Sequence, residues 1–209
     1  MFEKKSAAQG PTRRGVVQRR GVERRRAIVD AAEALLAERG YEAATLKAIG
    51  ERAGIPIASV YHYFSDRHQV DAEILRRHVD ELGKVFTAVL HSSAPTPRTL
   101  REAVDALVDP VLAHFRRHPS CTELWFAGRH DMLVELVRAF DEEQARRAWE
   151  YLVERNLVAA DTPRLVLLLA FEVGNRFLDV AFRRSPAGDD AVIDEARGCL
   201  AAYLGTYGT

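Results

Sequence analysis

Cysteine is nearly missing from this chain: Cys121 and Cys199 are the two among 209 residues. With no C-x-x-C pair, they exclude a disulfide framework and fit a reducing compartment. Long apolar runs are missing too. The longest, Leu165 to Phe171, is far shorter than the roughly 20 residues that span a bilayer. The cationic N-terminal residues lead into no apolar stretch, so neither a secretory signal nor a membrane partner is expected, and the location expected is cytoplasmic. No Gly-rich phosphate loop, paired carboxylates or Ser/His/Asp set is visible, so neither an enzyme nor a cofactor is expected. Net charge is absent as well, with 30 Lys and Arg against 30 Asp and Glu.

That zero hides an asymmetry. Residues 1–26 hold nine cationic side chains against Glu3 and Glu23, so the remainder is acidic by the same margin. A basic arm on an acidic body is the distribution expected when one end meets a polyanion. Taken alone, the arm could equally be a solvated tail.

What the chain does have is helical periodicity, with no convincing strand. Met1 to about Arg20 carries Gly10, Pro11 and Gly15 and almost no apolar pattern, so residues 1–20 read as a flexible basic arm. From Val22 the residues Ile28, Ala31, Ala32, Leu35 and Leu36 form a stripe that Gly40 terminates. Thr45 to Phe64 then reads as two short helices joined at Gly54, with Thr45 as N-cap and Pro56 opening the second. Ile49, Ala53, Val60 and Phe64 mark their buried side. Ser65 or Asp66 caps a long helix running to about His91. Beyond the Ser/Pro break at Ser92–Pro97, five more helices are expected near 98–118, 120–128, 131–156, 162–184 and 189–205, with Pro110 kinking or splitting the first. The chain is therefore all-α with about nine helices. The division expected is a helix-turn-helix domain over 21–66 and a larger helical domain over 67–209.

Two short helices at a sharp angle are the unit that places a recognition helix in the DNA major groove. On the second helix, Ile57, Ala58, Ser59 and His62 face away from the buried side and can meet base edges. No Arg, Asn or Gln stands there for bidentate contacts, so Ile57 and Ala58 are expected on thymine methyls and Ser59 and His62 in single hydrogen bonds.

The run Gly40-Tyr41, T-x-x-x-I from Thr45, Ala53-Gly54 and Tyr61-His62-Tyr63-Phe64 followed by Arg67 resembles the tetracycline-repressor (TetR) family of bacterial transcription factors. The resemblance in residues covers Ala27 to about Leu75; further on, only helix number and order agree. It implies that Thr45, Tyr61, Tyr63 and Arg67 touch phosphate and that Lys47 reaches a base or a phosphate. Two departures stand out. Pro56 takes the place of a capping Ser, and Gly50 that of a small residue, usually Ala, at a helix cost of about 1 kcal/mol.

The resemblance further implies a homodimer on a palindromic double-stranded DNA operator, with a small-molecule effector in the larger domain. Ala170, Gly174 and Ala181 form a small-residue line flanked by Phe177 and Leu178, and with Ala196, Leu200 and Tyr203 they are the expected dimer contact. A monomer could bury the same residues itself. Phe86, Phe115, Trp125, Phe126, Met132, Trp149 and Phe171 are candidates to line an apolar pocket, with Asn175 or His130 as polar anchor; each could instead be ordinary core. His114, His118 and Cys121 have metal-ligand spacing, but Arg116, Arg117 and Pro119 make the segment look like an exposed helix end, and no metal is expected. The function expected is a ligand-released repressor. The alternative is an architectural DNA-binding protein whose larger domain only dimerises.

Overall fold

The computed structural model describes residues 13–92, 96–126 and 130–209, with side chains from residue 19 onward. Among these residues the chain forms nine α-helices and no strand. They are α1 (Arg13–Arg39), α2 (Leu46–Ala53), α3 (Ile57–Tyr63), α4 (Arg67–Leu90), α5 (Leu100–Arg117), α6 (Pro119–Phe126), α7 (Asp131–Glu154), α8 (Arg164–Arg184) and α9 (Asp190–Gly205).

The helix ends follow from side-chain chemistry. Thr45 Oγ1 accepts from the Ala48 N–H at 3.2 Å, and Asp66 caps α4 by accepting from the Gln69 N–H at 3.0 Å. Thr99 caps α5 and Asp189 caps α9 in the same way. Gly54 closes α2 in the left-handed conformation, φ 65°, which a side chain would strain. Pro56 opens α3 with no side-chain cap, as its ring requires.

Two boundaries differ from the sequence reading. Helix α1 begins at Arg13, so residues 13–20 are helical rather than a flexible arm; Met1–Thr12 lie outside the described residues. Pro110 sits inside an unsplit α5, which bridges the one hydrogen bond that proline cannot donate.

Helices α1 to α3 and the start of α4 share a small core of Ile28, Ala32, Leu35, Ile49, Val60, Phe64, Val70 and Ile74, all buried. That core continues along α4 through Leu82 and Phe86 to Phe115, Trp125 and Phe140 of the larger domain. A second apolar cluster, centred on Ala148, Leu152, Leu167, Ala170 and Leu204, joins α5, α7, α8 and α9. Three ion pairs tie α1 to its neighbours: Arg52 donates to both oxygens of Glu38 at 2.6 and 2.7 Å, Arg77 to Asp30 at 2.5 Å and Arg25 to Glu73 at 3.0 Å.

Candidate nucleic-acid interface and effector cavity

On α3, Val60 and Phe64 are buried while Ile57, Ala58, Tyr61 and His62 are exposed and Ser59 and Tyr63 half-buried. Thr45 and Lys47 are exposed beside them, with Lys47 Nζ 4.0 Å from Glu51. Gly50 has a reason the sequence did not disclose. A Cβ there would stand 2.9 Å from the Ile55 carbonyl oxygen and 3.1 Å from Val60 Cγ2. The Ile55 N–H donates to the Gly50 carbonyl at 2.9 Å, drawing the turn tightly over this position. Glycine is what lets α3 approach α2 so closely.

Helix α1 runs past this face. A Cβ on Gly21 would lie 3.9 Å from the Tyr63 hydroxyl, so the basic turns of α1 flank the recognition helix. Arg19 pairs with Glu23 at 2.9 Å and Arg26 lies 3.7 Å from Asp30. Arg20 and Arg24 are exposed and have no carboxylate partner among the described residues.

Arg67 does not join the open face. Its Nε donates to Asp71 at 2.6 Å, its guanidinium lies 4.5 Å from the centre of the Tyr41 ring, and Tyr41 Oη donates to the other Asp71 oxygen at 2.9 Å. Asp71 is fully buried, so the arginine is held inward as its counter-charge.

The larger domain encloses a cavity of about 110 Å³ between α4, α5, α7, α8 and α9, with Trp125 of α6 in its wall. Phe86, Phe115, Trp125, Phe171 and Asn175 line it as expected from sequence. The four other candidates stand elsewhere. Phe126 packs outward between Phe115 and Phe182, Trp149 donates its Nε1–H to the Thr162 carbonyl at 2.8 Å, and His130 lies beside His68 and Asp71 near the DNA-binding unit. Met132 is exposed next to Arg76. Burial and the neighbouring His68 lower the pKa of His130.

One polar edge interrupts the apolar wall. Trp125 Nε1–H donates to Asn175 Oδ1 at 3.4 Å, and Asn175 Nδ2–H donates to Asp141 Oδ2 at 2.6 Å. Burial, with the nearby Glu172 charge, pushes Asp141 up to about 7. Sequence reading missed Asp141, although it stands in helical register with the buried Ala148 and Leu152.

The small-residue line of α8 faces inward. Ala170, Leu178, Ala181, Ala196 and Leu200 are buried within the chain, and Gly174, Leu178 and Leu200 line the cavity. Tyr203 packs against Tyr207. The opposite face of α8 is the open one: Leu165, Leu169 and Val173 are 59%, 43% and 39% exposed, and Phe177 and Val180 continue the row into a groove shared with Ala191, Val192 and Glu195 of α9. Of the α8 residues expected at a dimer contact, Phe177 is the one on this open face. Small residues permit close approach whether the neighbour belongs to the same chain or another.

The segment taken for an exposed helix end has two sides: Arg116, Arg117 and Pro119 are exposed, whereas His114 and Cys121 are buried, as is His78 of α4 opposite them.

A three-helix unit presenting a short exposed helix, joined by a long helix to an all-helical domain with a cavity, defines the helix-turn-helix class of DNA-binding regulators. Residues 28–73 match the family described as bacterial regulatory proteins, tetR family, and residues 99–204 match the tetracyclin repressor-like C-terminal domain. The chain belongs to the TetR family of bacterial transcriptional regulators. A TetR-family transcriptional regulator from Streptomyces coelicolor is 31% identical, with a TM-score of 0.64 over 88% of this chain and 99% of that one. The transcriptional repressor KstR of Rhodococcus jostii is 26% identical over 173 residues, 81% of this chain and 78% of the relative. The transcriptional activator FasR of Mycolicibacterium smegmatis is 36% identical over 87 residues, 42% of this chain, which spans 40% of that relative's length.

Proposed function

We propose that the chain acts in the cytoplasm as a homodimeric repressor that holds a palindromic operator through α3 and releases it when a small, largely apolar ligand fills the cavity. Ile57 and Ala58 pack on thymine methyls, and Ser59 and His62 make single hydrogen bonds to base edges. Thr45, Lys47, Tyr61 and Tyr63, with Arg20 and Arg24 of α1, bind phosphate and set the register. Arg67, with Asp71, ties the start of α4 to Tyr41 and is not assigned to DNA.

The observation that carries this reading is the path of α4. One uninterrupted helix supplies Leu82 and Phe86 to the cavity wall and Val70 and Ile74 to the core beneath the recognition helix. A cavity of about 110 Å³ is smaller than the 150 Å³ that accommodates benzene. A ligand of more than one ring therefore displaces wall residues, Phe86 of α4 among them, and a shift of α4 is the displacement this reading requires. The ligand shifts the equilibrium only by its preference for that displaced state. Trp125, Asn175 and Asp141 offer one polar group on the ligand a place to bond.

The dimer forms on the exposed α8 row, with Leu165, Leu169, Val173 and Phe177 opposing their copies across a two-fold axis. Fluorescence anisotropy tests the switch on DNA selected from a random pool. The selected site is expected to be an inverted repeat, bound tightly without ligand and weakly when cavity ligands are present. Equal affinity for selected and random DNA would instead make the chain an architectural DNA-binding protein. Operator affinity untouched by every ligand that quenches Trp125 would remove the release step alone.

A further inference from the structure

Four helices converge on a cluster that the DNA and ligand readings leave unused. Helix α5 presents His114 and His118 one turn apart, and α6 starts immediately after them and brings in Cys121. Helix α4 contributes His78 and α1 contributes Glu33. His78 Nδ1 lies 3.2 Å from His114 Nε2, and His78 Nε2 lies 3.1 Å from Glu33 Oε1. His78, His114 and Cys121 are all buried, and a ligating atom from each lies within 4.8 Å of the other two. The His118 ring centre is 4.5 Å from that of His114.

We propose that His78, His114 and Cys121 form a buried site for a zinc-class transition-metal ion, with His118 within reach as the fourth ligand. Two imidazoles and a thiolate are the donor set that borderline cations such as Zn²⁺ prefer over hard ones. Tetrahedral bonds of 2.0–2.3 Å place ligand atoms roughly 3.3–3.7 Å apart. The observed spacing therefore closes by at most about 1.5 Å at its widest, within the range of side-chain adjustment.

Glu33 supplies the outer partner such sites use. It accepts from His78 Nε2–H, which fixes the tautomer and leaves Nδ1 as the lone-pair donor aimed at the cluster. The imidazole pair can also be satisfied by a single proton, with His114 Nε2–H donating to His78 Nδ1. That network leaves the Cys121 sulfur without a hydrogen bond among the described residues, whereas a metal ion engages all three donors. Binding releases the thiol proton to solvent, while the His114 proton moves from Nε2 to Nδ1 so that the neutral ring ligates through Nε2. The ion would lock α4 of the DNA-binding side to α5 and α6 of the cavity side.

Cobalt is the probe because its thiolate complexes absorb in the near ultraviolet and its tetrahedral sites in the visible. Untagged full-length chain, stripped with chelator, is titrated with Co²⁺. One equivalent is expected to raise both bands, and one equivalent of Zn²⁺ to bleach them. The chain has two cysteines, so the near-ultraviolet band should persist in Cys199→Ser and vanish in Cys121→Ser. Zn²⁺ should raise the unfolding midpoint of the parent by several degrees and leave that of His78→Gln unmoved. If Cys121→Ser does not fold, the parent and Cys199→Ser spectra decide. No thiolate band in the folded parent, or a band that disappears with Cys199→Ser, overturns the site.

Discussion

A carboxyl group on an apolar wall can find a counter-charge or give up its own charge, and this chain shows both outcomes. Asp71 keeps Arg67 and the Tyr41 hydroxyl around it. Asp141 has only a neutral amide, and its pKa rises from 3.8 to about 7. Between those two values the folded state holds a proton that the unfolded chain has released. Unfolding free energy therefore falls as pH rises through that window, by at most about 4 kcal/mol. In Asp141→Asn this slope should flatten, making the variant less sensitive than the parent to the change from pH 5 to pH 8 in urea titrations. Arg67→Ala strands Asp71 and should lower stability by about 3–5 kcal/mol. Measured while folded, its operator binding should keep the parental salt slope, whereas loss of a true phosphate contact lowers that slope by about 1. Gly50→Ala gains about 1 kcal/mol of helix propensity but pushes a methyl against the Ile55 carbonyl. Thermal unfolding should show net destabilisation of about 1–3 kcal/mol, as overpacking generally does.

At the scale of helices, what could be read in advance depended on whether the signal was local. Thr45, Gly54, Asp66 and Pro119 act on their own backbone neighbours, so the bounds of α2, α4 and α6 were legible within a residue or two. The start of α1 was not, because residues 13–20 carry no apolar stripe to announce a helix. The faces of α8 were harder still. It is apolar nearly all round, and Leu165, Leu169, Val173 and Phe177 recur with the same spacing as Ala170, Gly174 and Leu178. Which row meets solvent is decided by α9 and α7, which pack against the second row. The cavity candidates divide on the same ground. Phe86, Phe115, Trp125 and Phe171 reach the void, while Trp149 and Phe126 stand on sides of their helices that turn away from it. His78 joined His114 and Cys121 through tertiary packing alone, across 36 positions of sequence separation from His114. Substitution on the open row offers the element-scale test. Leu169→Glu and Val173→Glu should yield monomers by sedimentation velocity with helical content unchanged, and Ala202→Glu on the exposed side of α9 reports how far the contact extends.

For the whole molecule, charge is distributed rather than balanced. Residues 1–26 carry a net positive charge and residues 27–209 an equal net negative one. Because α3 lacks long bidentate donors, the proposed mode of binding assigns a large share of the affinity to phosphate neutralisation. Operator binding should weaken by orders of magnitude between about 50 and 200 mM salt if the dimer makes six or more phosphate contacts. Arg20→Ala with Arg24→Ala should reduce the slope of that dependence on every sequence alike, whereas Ser59→Ala or His62→Ala should alter which sequence is preferred. Anisotropy at four salt concentrations separates the two.

Helix α8 is one helix thick, about 10 Å across, and it turns Gly174 and Leu178 to the cavity while Leu169 and Val173, on the row proposed for the dimer, face out. In the proposed dimer, occupancy of the void and pairing of the chains press on opposite sides of the same rod. By linkage, whatever a ligand does to the dimer constant the dimer does to the ligand constant. Effector potency then varies with how much of the protein is present, and a cell could retune its response threshold through expression level alone, with no change to either surface.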